Sequence, residues 1–368
     1  MLRRHTLILA IAGLLVLSPL AAAGVGVSPD ATVGTPSTDL STDTSTVDAT
    51  EVTSCRVIDE PGQYELTTDI TNSTAETCIE IAASDVTFDG NGHTIDGDDD
   101  ASGPETAIGP PSGTPDEWQN VTVRDVTVTD WSFGIRFLSV ENGSVEDVTA
   151  RDGQWGINLE SSDVTVSNST IENNSFTGVQ VAGSAWGTEW DVTLDGNTFV
   201  DNAKGVRALL EDDASLQVRQ NVFQNNDDGL WAHHAVNLTV RQNLFTENTN
   251  GVNVASTATL WRDRCETPPM AEGVAIHQNA FVNNTDYGVY NDAGATVNAT
   301  QNYWGAADGA SSPADPNGSL VDPVTEALAD GTGDKVSEGP KEGLSNVHFD
   351  DALPQMPGNM GTDDDDSD

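Results

Sequence analysis

One fifteen-residue phrase returns along this chain almost unchanged. VRQNVFQNNDDGLWA begins at Val218, and VRQNLFTENTNGVNV begins 22 residues later at Val240. The glycine that opens each apolar run recurs at Gly134, Gly156, Gly178, Gly205, Gly229, Gly251 and Gly288, at spacings of 22, 22, 27, 24, 22 and 37 residues. A fixed interval of this kind marks a chain built from stacked units, each too small to bury its own apolar face. The base unit is 22 residues, and the excess marks inserted loops.

A second series precedes the glycines: Asn197, Asn221, Asn243, Asn279 and Asn302, followed two residues on by Phe199, Phe223, Phe245, Phe281 and Trp304. In earlier units Val128, Ala150 and Ile171 take the aromatic position. The units are Val, Thr, Asn and Gly in short alternating segments between turns, which is a strand pattern and lacks the 3.6-residue period of a helix. Stacked in register, each strand gains a parallel neighbour about 4.8 Å above and below, and its inward side chains form a continuous core. The expected fold is therefore all-β, a single-stranded parallel β-helix of roughly nine or ten coils from about Cys55 to Trp304, about 45 Å long. The recurrent Asn is expected to satisfy inward-turned backbone groups, to tolerate the left-handed conformation and to bond its stacked copy. The recurrent Phe is expected to fill the corner beside it.

The ends read differently. Residues 1–23 have a basic start, a short apolar run and small residues before Ala23, the order of a secretory signal peptide. Residues 24–53, rich in Ser, Thr, Asp and Pro, read as a flexible linker, and 326–368, ending GTDDDDSD, as an acidic, largely disordered tail. The β-helix is assigned to 54–325. No segment after the signal is expected to span a membrane. In an exported chain Cys55 and Cys78 are placed to staple the first folded stretch; two free buried thiols are the alternative, and Cys265 is left over.

With 59 acidic residues against 14 Lys plus Arg, and only Lys204, Lys335 and Lys341 among the lysines, the net charge is −45. Such a surface excludes nucleic acid and anionic membranes as partners. Its self-repulsion is screened where the Debye length is short, so a salt-rich setting is expected.

The opening CRVIDEPGQYELTTDITNSTAETCIEIAASDVTFDGNGHTIDG, the 22-residue coils and the closing QNYWGAADGASSP resemble a secreted β-helix family that includes NosD-like proteins and a domain shared by carbohydrate-binding proteins and sugar hydrolases. The resemblance covers most of residues 55–315 and implies the right-handed form, which the crossover rule also favours. It does not fix an activity, since that scaffold hosts lyases, hydrolases, epimerases, adhesins and inert surface proteins.

Alternation along the Gly-led strands turns Arg136, Asn158, Gln180, Arg207, Trp231, Asn253 and Tyr290 outward, with Glu160, His233 and Asp292 among those one step further on. Amides, arginines and flat rings in a row suit a linear sugar chain. Inserted loops carrying Trp186, Trp190 and Trp261 are expected to overhang the same column. A second outward column, Arg124, Glu146, Ser167, Asp195, Arg219, Arg241, His277 and Thr300, reads as intercoil ion pairing. Asp96, Asp98, Asp99 and Asp100 lack the closing Glu of a calcium loop and offer weak Ca²⁺ binding at most. No cofactor is expected, and four Met, three Cys and six His without clustering argue against a soft-metal site. Nine Asn-X-Ser/Thr sequons permit N-glycosylation, and most are expected to stay unmodified.

The expected function is that of a secreted or cell-surface protein that binds extracellular glycan or serves a structural role. One alternative is a polysaccharide lyase, hydrolase or epimerase with Arg207 clamping a substrate carboxylate and His233 as base. Another is an adhesin or spacer without a small ligand.

Overall fold

In the computed structural model, residues 49–98, 105–111, 117–183, 190–210, 214–233, 237–255, 273–293, 295–313, 320–358 and 360 are described. Each full coil lays one strand on each of three parallel sheets. The coil from Trp190, for example, places Trp190–Asp195 on a twelve-stranded sheet, Thr198–Val200 on a nine-stranded sheet and Lys204–Leu209 on a ten-stranded sheet. The next coil repeats the order, so Leu194 lies over Val218, Phe199 over Phe223 and Val206 over Leu230. These inward residues are all buried and belong to one core cluster that runs through the solenoid. The parallel β-helix expected from the repeat is the fold observed.

The Asn series forms a hydrogen-bonded ladder in the interior of one corner. Asn243, fully buried, donates from Nδ2 to Val218 O at 2.9 Å, Arg241 O at 3.0 Å and Asn279 Oδ1 at 3.0 Å. Its own Oδ1 accepts from the backbone and side-chain nitrogens of Asn221 at 2.9 and 3.0 Å. Asn197, Asn221, Asn279 and Asn302 continue the chain of bonds. The backbone turning inward at this corner needs a short neutral side chain that both donates and accepts: Asn in these coils, and Ser169 one coil earlier, which accepts from Val148 N and donates to Ser167 O.

One part of that expectation fails. The ladder asparagines do not adopt the left-handed conformation; the residue before each of them does, at Gly196, Gln220, Gln242, Gln278 and Gln301, with φ between 57° and 68°. The bend is thus made by one residue and its broken backbone bonds are repaired by the next. The following corner repeats the device. Asn174, Asn202, Asn226, Asn248 and Asn284 form a second buried ladder that the sequence reading missed, again preceded by residues of positive φ. Its last member, Asn284, donates to the carboxylate of Asp334 at 2.6 Å.

Between the ladders the aromatic rings stack face to face. Centroids lie 4.7 Å apart for Phe199 and Phe223, 4.6 Å for Phe223 and Phe245, and 5.1 Å for both Phe245–Phe281 and Phe281–Trp304. The recurrent glycines stand against this stack. A Cβ on Gly229 would lie 2.6 Å from Gly251 O and 2.8 Å from Phe245 Cδ1, so the close approach of two coils requires their absence of side chain.

Two boundaries move. Thr50–Val52, inside the expected linker, is a strand that pairs with Tyr64–Leu66, and Cys55 and Cys78 are joined by a disulfide. The expected disordered tail is, as far as residue 358, a folded cap. Val336 bridges to Val289, Val347 pairs with Val297, and Leu320, Ala329, Val336, Val347 and Phe349 are buried. A solenoid's last coil exposes an apolar end that must be covered, and the few apolar residues of this acidic stretch cover it.

Asp322 holds the cap together. Its carboxylate is fully buried and accepts from the backbone nitrogens of Val324, Thr325, Phe349 and Asp350 and from His348 Nδ1, at 2.7–3.0 Å. These donors outweigh the cost of burial and hold its pKa down to about 2, from 3.8. A depressed carboxylate contributes stability that is full above its unfolded pKa and is lost as pH falls through the folded one, here between about 4 and 2. The free-energy gap between native protein and Asp322→Asn should therefore shrink by about 2 kcal/mol across that window. Denaturant unfolding of both proteins at a series of pH values measures it, and a gap that stays constant would refute the assignment.

Candidate functional site

The outward column of the ten-stranded sheet is formed as expected: Arg136, Asn158, Gln180, Arg207, Trp231, Asn253 and Tyr290 are register partners on successive strands. The first four are already tied to one another, Arg136 through Glu160. Arg207 donates to Gln180 Oε1, Gln180 donates to Asn158 Oδ1 at 2.9 Å, and Asn158 donates to Glu160 Oε1 at 2.8 Å, which lies 3.5 Å from Arg136. The result is a preset line of planar polar groups, with each rotamer held by its neighbour. Asn158 is itself buried, so in that line it serves as a link.

An aromatic strip runs beside this line at the entry to the same strands. Phe133 stacks on Trp155 at 4.6 Å, and Trp155 meets Phe176 at 4.9 Å. Phe176 is one of the few large apolar side chains left exposed, at 40%. Arg207 lies 5.5 Å from the Phe176 ring and 5.4 Å from the Trp231 ring, and Lys204 is 5.9 Å from both. Burial between these rings lowers the pKa of Arg207 from the usual arginine value, while leaving it charged at neutral pH. Further along, Asp228 accepts from Asn250 at 2.9 Å and Asn253 at 3.0 Å, and Tyr287 packs on Tyr290 at 5.1 Å. Burial, then the charge of Asp292 and the neighbouring Tyr287, pushes the Tyr290 hydroxyl up from its ordinary value.

Two expected site residues do not belong to the open face. His233 is 1% exposed and stacked on Trp231 at 5.3 Å, so its ring is not offered to a ligand from solvent. Alternation along the strand gave its direction correctly, but not the cover supplied by the neighbouring ring and the corner. Trp190 opens the strand Trp190–Asp195 and is buried in the core, not a loop wall. Trp186, Trp261, His234 and Cys265 lie outside the described residues. Each of the three insertions is preceded by a strand of the ten-stranded sheet and followed by a strand of the twelve-stranded sheet.

A family model for the right-handed β-helix region matches residues 57–212 and 114–266, overlapping stretches that together take in more than half of the chain. The chain belongs to the right-handed β-helix family. Two solved structures are similar to this right-handed β-helix, both A-modules of mannuronan C-5 epimerases from Azotobacter vinelandii. That of AlgE4 has 18% identity and a TM-score of 0.46, with 66% of this chain and 74% of that chain covered. That of AlgE6 has 15% identity and a TM-score of 0.46, covering 82% and 79% respectively. Among curated proteins none matches.

Elsewhere on this right-handed β-helix, the second outward column is also in register, from Asp89 and Arg124 through Asp195, Arg219 and Arg241 to His277. The expected ion pairing is present at Arg124–Asp89, 2.8 Å, and at Arg219–Asp195, 2.9 Å. It stops there. Nearby, a shallow open depression of about 570 Å³ is lined by Thr87, Asn120, Thr122, Asn142 and Glu146, among others, and no aromatic residue walls it. Two of the sequon asparagines sit on that depression with their amides engaged, Asn142 donating to Asn120 at 2.6 Å and Asn120 to Asp85 at 2.6 Å. Among the described residues no group of three or more His, Cys, Asp or Glu is arranged to hold a metal ion. No helix of the described residues is long and apolar enough to cross a membrane.

Proposed function

We propose that the outer face of the ten-stranded sheet binds an extended extracellular glycan, in a protein exported to a salt-rich surrounding. The observation that carries this reading is the pairing of an aromatic strip (Phe133, Trp155, Phe176) with a parallel line of planar donors and acceptors (Arg136, Gln180, Arg207). Pyranose faces pack on flat rings while their edges present hydroxyls or carboxylates, and successive sugars repeat that demand along a line. The side chains are fixed by mutual bonds before any ligand arrives, so binding costs little side-chain ordering. A catalytic reading needs a base within hydrogen-bond reach of the substrate, and the burial of His233 counts against its serving as one. Binding without turnover, or a structural surface role on the same scaffold, is the reading favoured.

Purified protein in molar salt, passed over a panel of neutral and acidic polysaccharides, should be retained on at least one without release of unsaturated or reducing ends. Trp231→Ala removes the ring that holds Arg207 and Lys204 in place and should weaken retention about tenfold or more. Retention equal to that of the native protein on every polymer, or none by the native protein, would defeat the proposal; progressive appearance of new chain ends would replace it with an enzymatic one.

A further inference from the structure

The outward column of the twelve-stranded sheet changes character in its last coils. Arg219, Arg241 and His277 follow one another on three adjacent strands. At the strand spacing of about 4.8 Å their heads are close enough to repel. In a chain with four acids for every cation, a carboxylate would be the expected neighbour. Arg219 has one, Asp195 at 2.9 Å. Among the described residues Arg241 and His277 have none within ion-pair distance, and the only side-chain bond of Arg241 is to Gln242 Oε1 at 3.4 Å.

The corner beside this column changes at the same coils. Its left-handed position is held by Asp125, Asp147, Asn168 and Gly196 in earlier coils, and by Gln220, Gln242, Gln278 and Gln301 in later ones, with φ of 57° or 58°. Asp, Asn and Gly are the residue types that tolerate this conformation, and Gln gains nothing from it. Glutamines thus replace carboxylates and small residues beside Arg219, Arg241 and His277, and again after Thr300, at a backbone cost. On the other flank the same strands carry Gln217, Thr239 and Ala275, two donors and a small residue that leaves space beside His277. Arg241, without a counter-charge and set between Arg219 and His277, is flanked by neutral donors, an environment that suits an anion from outside.

We infer that Arg219, Arg241 and His277, with Gln242 and Gln278 at the rim, bind a tetrahedral oxyanion, sulfate or phosphate, either free or esterified to a polymer. The site lies on a different sheet from the proposed glycan face and does not depend on it. Burial, and next the charge of Arg241, lower the pKa of His277 from its usual value. An anion seated between the two would reverse that shift, so binding strengthens as pH falls through the histidine range. The charged groups facing His277 along its column are Arg241 and, one strand further, Arg219 with its partner Asp195.

The test follows the His277 imidazole by NMR while sodium sulfate, and separately inorganic phosphate, is titrated into the full chain at constant ionic strength set with sodium chloride. A saturable shift and a rise in the His277 pKa are expected. Arg241→Gln should weaken the interaction about tenfold, whereas Arg124→Gln, on the same column among acids, and Trp231→Ala, on the other sheet, should leave it unchanged. A sulfated polysaccharide that binds more tightly per sulfate than the free ion would identify an ester ligand; equal affinity would identify the free ion. The inference fails if neither anion shifts His277 saturably, or if Arg241→Gln and Arg124→Gln behave alike.

Discussion

Asn243→Asp, a change of one atom, should destabilise the protein by about 4 kcal/mol or more. The native amide donates three hydrogen bonds, to Val218 O, Arg241 O and Asn279 Oδ1, from a fully buried position. A carboxylate can donate none of them; Asn279 Oδ1 keeps the backbone N–H of residue 243 at 3.0 Å, but Val218 O and Arg241 O each lose a donor, at about 1–3 kcal/mol apiece. The new charge would also face those same oxygens without water to screen it. Its acceptor side still serves Asn221, which limits the damage to one direction along the ladder. Denaturant unfolding in molar salt measures the loss, with Gln217→Glu, exposed on the twelve-stranded sheet between Thr193 and Thr239, as the control for added charge. A variant whose midpoint matches the control would show that the ladder contributes little.

Phe223→Ala should cost about 3–5 kcal/mol, because it removes a fully buried ring from the middle of a stack and leaves a cavity between two coils. Neighbouring strands are tied by parallel hydrogen bonds at fixed spacing, so the solenoid cannot collapse into the void as a looser core would. Phe223→Leu keeps most of the volume and should cost about 1 kcal/mol. Thermal unfolding of both variants distinguishes a packed stack from rings that only happen to align. Equal losses for Ala and Leu would mean that ring stacking, not volume, is the larger contribution.

Much of this could be read before any coordinates, for a specific reason. In a solenoid a residue's neighbours are the residues one repeat away, so sequence spacing translates directly into register. That is why Arg136, Asn158, Gln180, Arg207, Trp231, Asn253 and Tyr290 fall in one column as expected, and why Phe199 meets Phe223. The second Asn ladder was equally available: Asn202, Asn226, Asn248 and Asn284 each follow a first-ladder Asn by five residues. The left-handed bend sits one residue before the ladder Asn, so the structure separates two roles that residue type alone merges.

Other features were not legible. The cap from 320 to 358 averages to an acidic, Gly-rich stretch, and only the exposed end of the last coil gives Leu320, Val336 and Phe349 a surface to bury against. His233 follows from alternation, which fixes direction along a strand and says nothing about what covers a corner, and Trp190 from the length of an insertion, which does not show where the next strand begins.

The sequence by itself determined the repeat, hence the stacking, the sheet register and which side chains share a row, because each of these follows from spacing along the chain. Only the tertiary structure decided which members of a row are covered, which are bonded to a neighbour, and where cations are left without a counter-charge. Those depend on distances between side chains from different coils and from the cap, and no interval in the sequence encodes them.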